Sequence, residues 1–139
     1  MTTPALIELI RPPELTDRAP YAYAAVVHDV SCLVFTAGAC PLDELGQTVA
    51  IGDPTGQAER VMANLTTALE AAGAGLSDVL KTTVYVASQR REDLLAAWEV
   101  VSRRFGEHDA PSTLLGVAAL GYPDQLVGVE AIAAIAEGR

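Results

Sequence analysis

Apolar residues recur along this chain in two rhythms, every third or fourth position in some stretches and every second in others, with Gly, Pro and Asp at the changes. The clearest helical spacing joins Ala58, Val61, Met62, Leu65, Ala68, Leu69 and Ala72. Asp53-Pro54 marks the start of this helix, its carboxylate placed to cap free amides and its proline suited to the first helical position; Gly73 supplies the stop. From residue 79 to 86 the pattern alternates instead. Leu80, Thr82, Val84 and Val86 share one face and Lys81, Thr83 and Tyr85 the other, as in a strand rich in β-branched residues. A second helix is predicted from residue 88 or 90 to residue 105, with Leu94, Leu95, Trp98, Val101 and Phe105 as its buried stripe.

The other apolar runs are short. A strand around residues 7–10 precedes runs at 22–28 and 32–39, which are joined by Asp29-Val30-Ser31 and read as an antiparallel pair. Past Pro111, residues 113–120 and 125–135 read as strands connected through the turn formers Gly121-Tyr122-Pro123-Asp124. This order predicts an α+β fold, one mixed β-sheet with two helices packed on one face. No repeat or linker divides residues 1–139, so a single domain is expected. Leu115, Val117 and Ala119 alternate with Leu114, Ala118 and Leu120, which makes both strand faces apolar while two helices screen only one. The uncovered face predicts a closed homo-oligomer.

Charge narrows the partners. The chain has 50% hydrophobic and 19% charged residues and a net charge of −9, with Lys81 the only lysine. Such a balance gives little basis for neutralising phosphates, so no nucleic acid is expected as a partner, and Arg90, Arg91, Arg103 and Arg104 read as solvated ends of one helix. No apolar run reaches the roughly 20 residues of a membrane span, and Met1-Thr2-Thr3-Pro4-Ala5 does not resemble a secretory start, so no membrane partner and a cytoplasmic location are expected. On a continuous strand Cys32 and Cys40 would stand about 26 Å apart, beyond disulfide reach. His28 and His108 have no second His or Cys at ligand spacing, and neither a metal nor another cofactor is expected.

One resemblance covers nearly the whole chain. Gln57-Ala58-Glu59-Arg60-Val61-Met62-Ala63-Asn64-Leu65, Ala71-Ala72-Gly73 and Leu76-Ser77-Asp78-Val79-Leu80-Lys81-Thr82-Thr83-Val84-Tyr85-Val86 resemble the YjgF/YER057c/UK114 family, also called Rid. Phe35-Thr36-Ala37-Gly38, Pro111 and Val129-Glu130-Ala131-Ile132-Ala133 extend the likeness. It implies a chorismate-mutase-like fold, a homotrimer, and ligand clefts between neighbouring subunits. Members of the best-known branch are enamine/imine deaminases that hydrolyse 2-aminoacrylate-type intermediates to 2-oxo acids and ammonia. There an arginine grips the substrate carboxylate through paired, charge-assisted hydrogen bonds, and a carboxylate on the last strand manages water and protons.

Both positions depart from that pattern. Aligned on Pro111, the arginine position is Thr113; aligned on Glu130-Ala131-Ile132-Ala133, the glutamate position is Gly128, and Glu130 matches a second family glutamate. Trp98 corresponds to a helix residue that often lends a polar amide to the cleft, Ala37 replaces a frequent hydroxyl residue before Gly38, and Tyr21 matches a cleft tyrosine after Pro20. The expected ligand-binding set is thus Tyr21, Ala37, Gly38, Trp98, Thr113 and Gly128, with Glu130 the remaining group able to work as acid or base. Each has a plainer reading: Thr113 suits any strand, Tyr21 an interface, Gly38 a close backbone approach and Trp98 a core. Glu130, alone among ionisable residues between Gln125 and Ala136, must be paired, neutralised or turned to a solvated cavity, with Lys81 or an arginine across an interface as partner. The resulting expectation is a homotrimer binding a small metabolite, with weak or no 2-aminoacrylate deaminase activity. The alternatives are an enamine/imine deaminase or related hydrolase for another substrate, and a non-catalytic interaction protein.

Overall fold

The computed structural model describes residues 6–136; Met1 to Ala5, considered above for targeting, lie outside them. Strand β1 (Ile7–Ile10) pairs antiparallel with β2 (Ala24–Val27). Strand β3 (Val30–Phe35) follows at once but pairs antiparallel with β6 (Val127–Ala136), setting Phe35 opposite Ile132. The expected pairing of the two early runs with each other is therefore wrong. Asp29, in the left-handed region at φ 54°, bends the chain between them, and the ten-residue β6 offers β3 a longer apolar partner than β2 could.

Helix α1 (Pro54–Ala71), strand β4 (Val79–Val86), helix α2 (Arg91–Phe105) and strand β5 (Ser112–Gly116) complete the elements. The main sheet has the order β3-β6-β4-β5, while β1 and β2 form a separate ribbon. Strand β4 lies antiparallel to β6 and parallel to β5, with α2 as the crossover that parallel pairing requires. The sheet is mixed and both helices pack on one face, an α+β architecture of chorismate-mutase-like type.

Helix α1 follows its spacing: Ala58, Val61, Met62, Leu65 and Leu69 are fully buried in one core with Val79, Val84, Val129 and Ala133. Asp53 is its N-cap residue but makes no side-chain capping bond; Pro54 removes one free amide and the Asp53 carbonyl accepts the Gln57 N–H at 2.9 Å. In α2 the buried positions are Ala97, Val100 and Val101, and Leu95, expected inside, is 60% exposed. The buried arc is turned because α2 packs on α1 as well as on the sheet. Arg103 and Arg104 reach across to Glu59 at 2.5 and 2.9 Å.

Strand β5 stops four residues short of its expected end. Its one neighbour, β4, ends at Val86, whose carbonyl takes the Val117 N–H at 2.8 Å as the last bond of the pair. Only glycine fits at residue 116, since a Cβ there would lie 2.8 Å from the Ser88 carbonyl oxygen. On the sheet face away from the helices, Leu33, Phe35 and Leu115 are 53%, 69% and 42% exposed. An apolar face of this extent is open in one chain, as the strand pattern predicts.

Candidate functional site

The central strand carries the chemistry of the open face. Residues in register share a face, and Thr83 of β4 stands between Thr113 of β5 and Glu130 of β6; Tyr85 likewise stands between Leu115 and Gly128. The Tyr85 hydroxyl donates to Glu130 Oε1 at 2.6 Å. This bond to Glu130 holds the Tyr85 phenol above its usual range of 10.0, because losing the proton would set two anions against each other. Lys81 lines the same 190 Å³ hollow, with Thr36, Thr83 and Glu130, yet Tyr85 rather than Lys81 stands at hydrogen-bond distance. The expected lysine partner is thus replaced by a phenol.

The predicted ligand-binding residues fall into separate places on one chain. Tyr21, Trp98 and Thr113 come together with Leu95, Ser112 and Leu114 in a cleft of about 420 Å³ beside the edge strand β5. The Trp98 and Tyr21 rings meet edge to face, with centroids 6.2 Å apart at 88°. Trp98 is half-buried: the stripe on α2 supports the core with one side of the indole and walls the cleft with the other. Gly38 and Gly128 meet in a second hollow of about 250 Å³ with Cys40, Tyr85, Tyr122 and Gln125. Ala37 is exposed beside it; the neighbouring hydroxyl, Thr36 Oγ1, accepts the Ala131 N–H at 3.0 Å.

Three contributors escaped sequence reasoning. Arg11 donates to the Ala19 carbonyl at 3.0 Å and pairs with the Asp109 carboxylate, while the Ala22 N–H donates to the Asp109 carbonyl at 2.8 Å. The short segment carrying Tyr21 is therefore fastened on both sides, and no local pattern reveals it because Arg11 and Asp109 lie far apart along the chain. Gln125 is buried at 7% exposure; its Nε2 donates to the Val127 carbonyl at 3.1 Å and its Oε1 accepts from Tyr122 N at 3.2 Å. Ser112 is the third. Its Oγ accepts the Thr82 hydroxyl at 2.7 Å, tying the start of β5 to β4.

Cys32 and Cys40 are free thiols. Among the described residues no group of three or more His, Cys, Asp and Glu gathers, and no helix is long and apolar enough to cross a membrane.

The family described as Endoribonuclease L-PSP matches residues 14–135. A RutC family protein of Pyrococcus abyssi is 37% identical over 82% of this chain and 85% of its own length. The 2-iminobutanoate/2-iminopropanoate deaminase of Salmonella typhimurium is 32% identical over 85% of this chain and 93% of its own. Among solved structures, the Rid-family protein YyfB of Yersinia pestis superposes with a TM-score of 0.82 at 26% identity, over 94% of this chain and 100% of that one.

Proposed function

The chain belongs to the Endoribonuclease L-PSP family, the YjgF/YER057c/UK114 or Rid family, and on that premise we propose a homotrimer that binds a small metabolite in clefts between its subunits. It acts in the cytoplasm, with weak or no standard 2-aminoacrylate deaminase activity. The observation that carries this reading is Thr113. It lies in the cleft with Tyr21 and Trp98, and supplies a neutral hydroxyl at the position where the deaminase branch holds a guanidinium. A substrate carboxylate there forgoes a charge-assisted anchor of about 1.5–3 kcal/mol. The exposed apolar face around Leu33, Phe35 and Leu115 supports assembly, and the split between the Thr113 and Gly128 hollows supports a site completed by a second subunit. The open cleft also supports ligand binding over a purely interacting protein.

The test has two parts. Sedimentation should give the mass of three chains, and purified protein should release 2-oxo acid from 2-aminoacrylate no faster than buffer. A single-chain mass sinks the assembly; a rate like that of the Salmonella relative sinks the activity claim. A second reading, an enamine/imine hydrolase for another substrate, draws support from the 2.6 Å bond between Tyr85 and Glu130, which keeps a carboxylate and a proton donor together. In that case Glu130→Gln abolishes turnover of whichever imine is hydrolysed, and equal rates remove Glu130 from the chemistry.

A further inference from the structure

A second space lies behind Trp98, on the helix side of the sheet. It is a cavity of about 150 Å³ between two packed layers of the fold, α2 on one side and β4 and β5 on the other. Thr82 and Ser112, opposite each other in the register of β4 and β5, give it a polar floor, and Thr82 is only 2% exposed. Thr83 and Thr113, one position on, turn to the open face and take no part in it. The walls are Trp98, Val101 and Phe105 from α2, with Pro20 and Ala110 closing the ends. This space is therefore distinct from the cleft that holds Thr113.

Its hydrogen-bonding groups are only partly used. The 2.7 Å bond between Thr82 and Ser112 employs one of their two hydroxyl protons, whichever residue donates, and leaves the other proton and several lone pairs. Neither that proton nor the Trp98 indole N–H has an acceptor among the described residues. Ser102 Oγ is spent on the Glu99 carbonyl at 3.2 Å. Asp109 is the one ionisable residue in the lining; Arg11 holds its Oδ2, and no described residue donates to Oδ1. A cation would contend with Arg11 for Asp109, and an anion would meet that carboxylate with no cation beside it. A hydroxyl both gives and takes a proton and brings no charge. The volume of about 150 Å³ accommodates a benzene-sized ring. We propose that this cavity is a binding site for a compact, uncharged ring bearing one hydroxyl, the ring against Val101, Phe105 and Trp98 and the hydroxyl on the Thr82 and Ser112 pair. Since the Trp98 indole walls both spaces, a molecule held here bears on the cleft through that ring.

Phenol, toluene and benzylammonium share a six-membered aromatic ring and differ in the group it carries. Titration calorimetry on the full-length protein at neutral pH should give saturable binding of phenol, about fivefold tighter than of toluene and tighter still than of benzylammonium. Acrylamide quenching of Trp98, the only tryptophan, should fall as phenol binds. Ser102 and Ala110 line the cavity and not the cleft, so Ser102→Leu or Ala110→Val fills the first without narrowing the second. Each should abolish phenol binding while the melting temperature holds or rises. The double variant Thr82→Val with Ser112→Ala should bring phenol and toluene to equal affinity. Phenol affinity unaltered in the filling variants puts the ligand elsewhere, the cleft included, and overturns the proposal. Equal affinities for phenol and toluene in the unsubstituted protein overturn it too, as do tighter binding of benzylammonium and the absence of saturable phenol binding. The trimer mass and the 2-aminoacrylate assay are read separately, so this site can fail while the assembly and activity claims stand.

Discussion

Gly128 shows how a missing side chain becomes fixed by its surroundings. A Cβ at that position would lie 3.3 Å from Gln125 Nε2 and 3.6 Å from the Ala39 carbonyl oxygen, and the Gln125 amide is tied down at both ends. Gly128→Ala should therefore cost about 1–2 kcal/mol in urea unfolding, and a double-mutant cycle with Gln125→Ala should show a coupling above about 0.5 kcal/mol. Additive effects would mean the amide yields freely. Gly128→Glu should likewise fail to rebuild a family-type carboxylate site without displacing the loop that carries Gln125. Arg11 makes a second prediction. Since it fastens the segment bearing Tyr21, Arg11→Ala should raise acrylamide quenching of Trp98, Arg11→Lys should recover part of the protection, and neither should add to the effect of Tyr21→Ala. Thr113 and Gly128 were legible as departures because flanking motifs set their register; Arg11, Gln125 and Ser112 were not, because their roles arise from bonds that local spacing does not encode.

At the level of elements, α1 works as a frame for the loops around the hollows. Gln57 is fully buried, donates to the Asp124 carbonyl at 2.9 Å and accepts the Leu126 N–H at 2.7 Å, pinning the turn that leads into β6. Gln57→Leu strands that amide and should cost about 2 kcal/mol, with faster hydrogen exchange at Leu126 as the local signature. One and two turns on, Arg60 and Asn64 hold the carbonyl of Leu42, at 3.1 and 3.0 Å. Glu59 ties α1 to α2: the hydrogen bond from Arg104 leads the effects that hold its carboxyl below the usual 4.5. Its contribution is thus present above pH 4.5 and lost as pH falls through the lower folded value. In the solvated setting of this pair the difference from Glu59→Gln should be about 0.5–1 kcal/mol at pH 7, shrink in salt and disappear once acid protonates the folded carboxyl. Both helices and β4 were readable because their periodicity is local. The partners of β2 and β3 were not, since two short apolar runs flanking a bend look like a hairpin until distant β6 competes for one of them.

Over the whole molecule, the open sheet face is where strand pattern and proposed assembly meet. Phe35→Asp places a charge on its most exposed large side chain and should yield single chains in sedimentation at micromolar concentration, with the helical circular dichroism retained. A trimeric Phe35→Asp protein would remove that residue from the contact. The same face has a history during synthesis. In the main sheet β3 bonds only to β6, and at translation rates of about 5–20 residues per second the roughly ninety residues between them take on the order of 5–20 s to make. Through that interval Val30-Ser31-Cys32-Leu33-Val34-Phe35 is an uncharged, proline-free stretch without its partner, guarded by Asp29 alone at its leading end. The pace of the ribosome thus sets how long a nascent chain stays vulnerable to its neighbours on a crowded message.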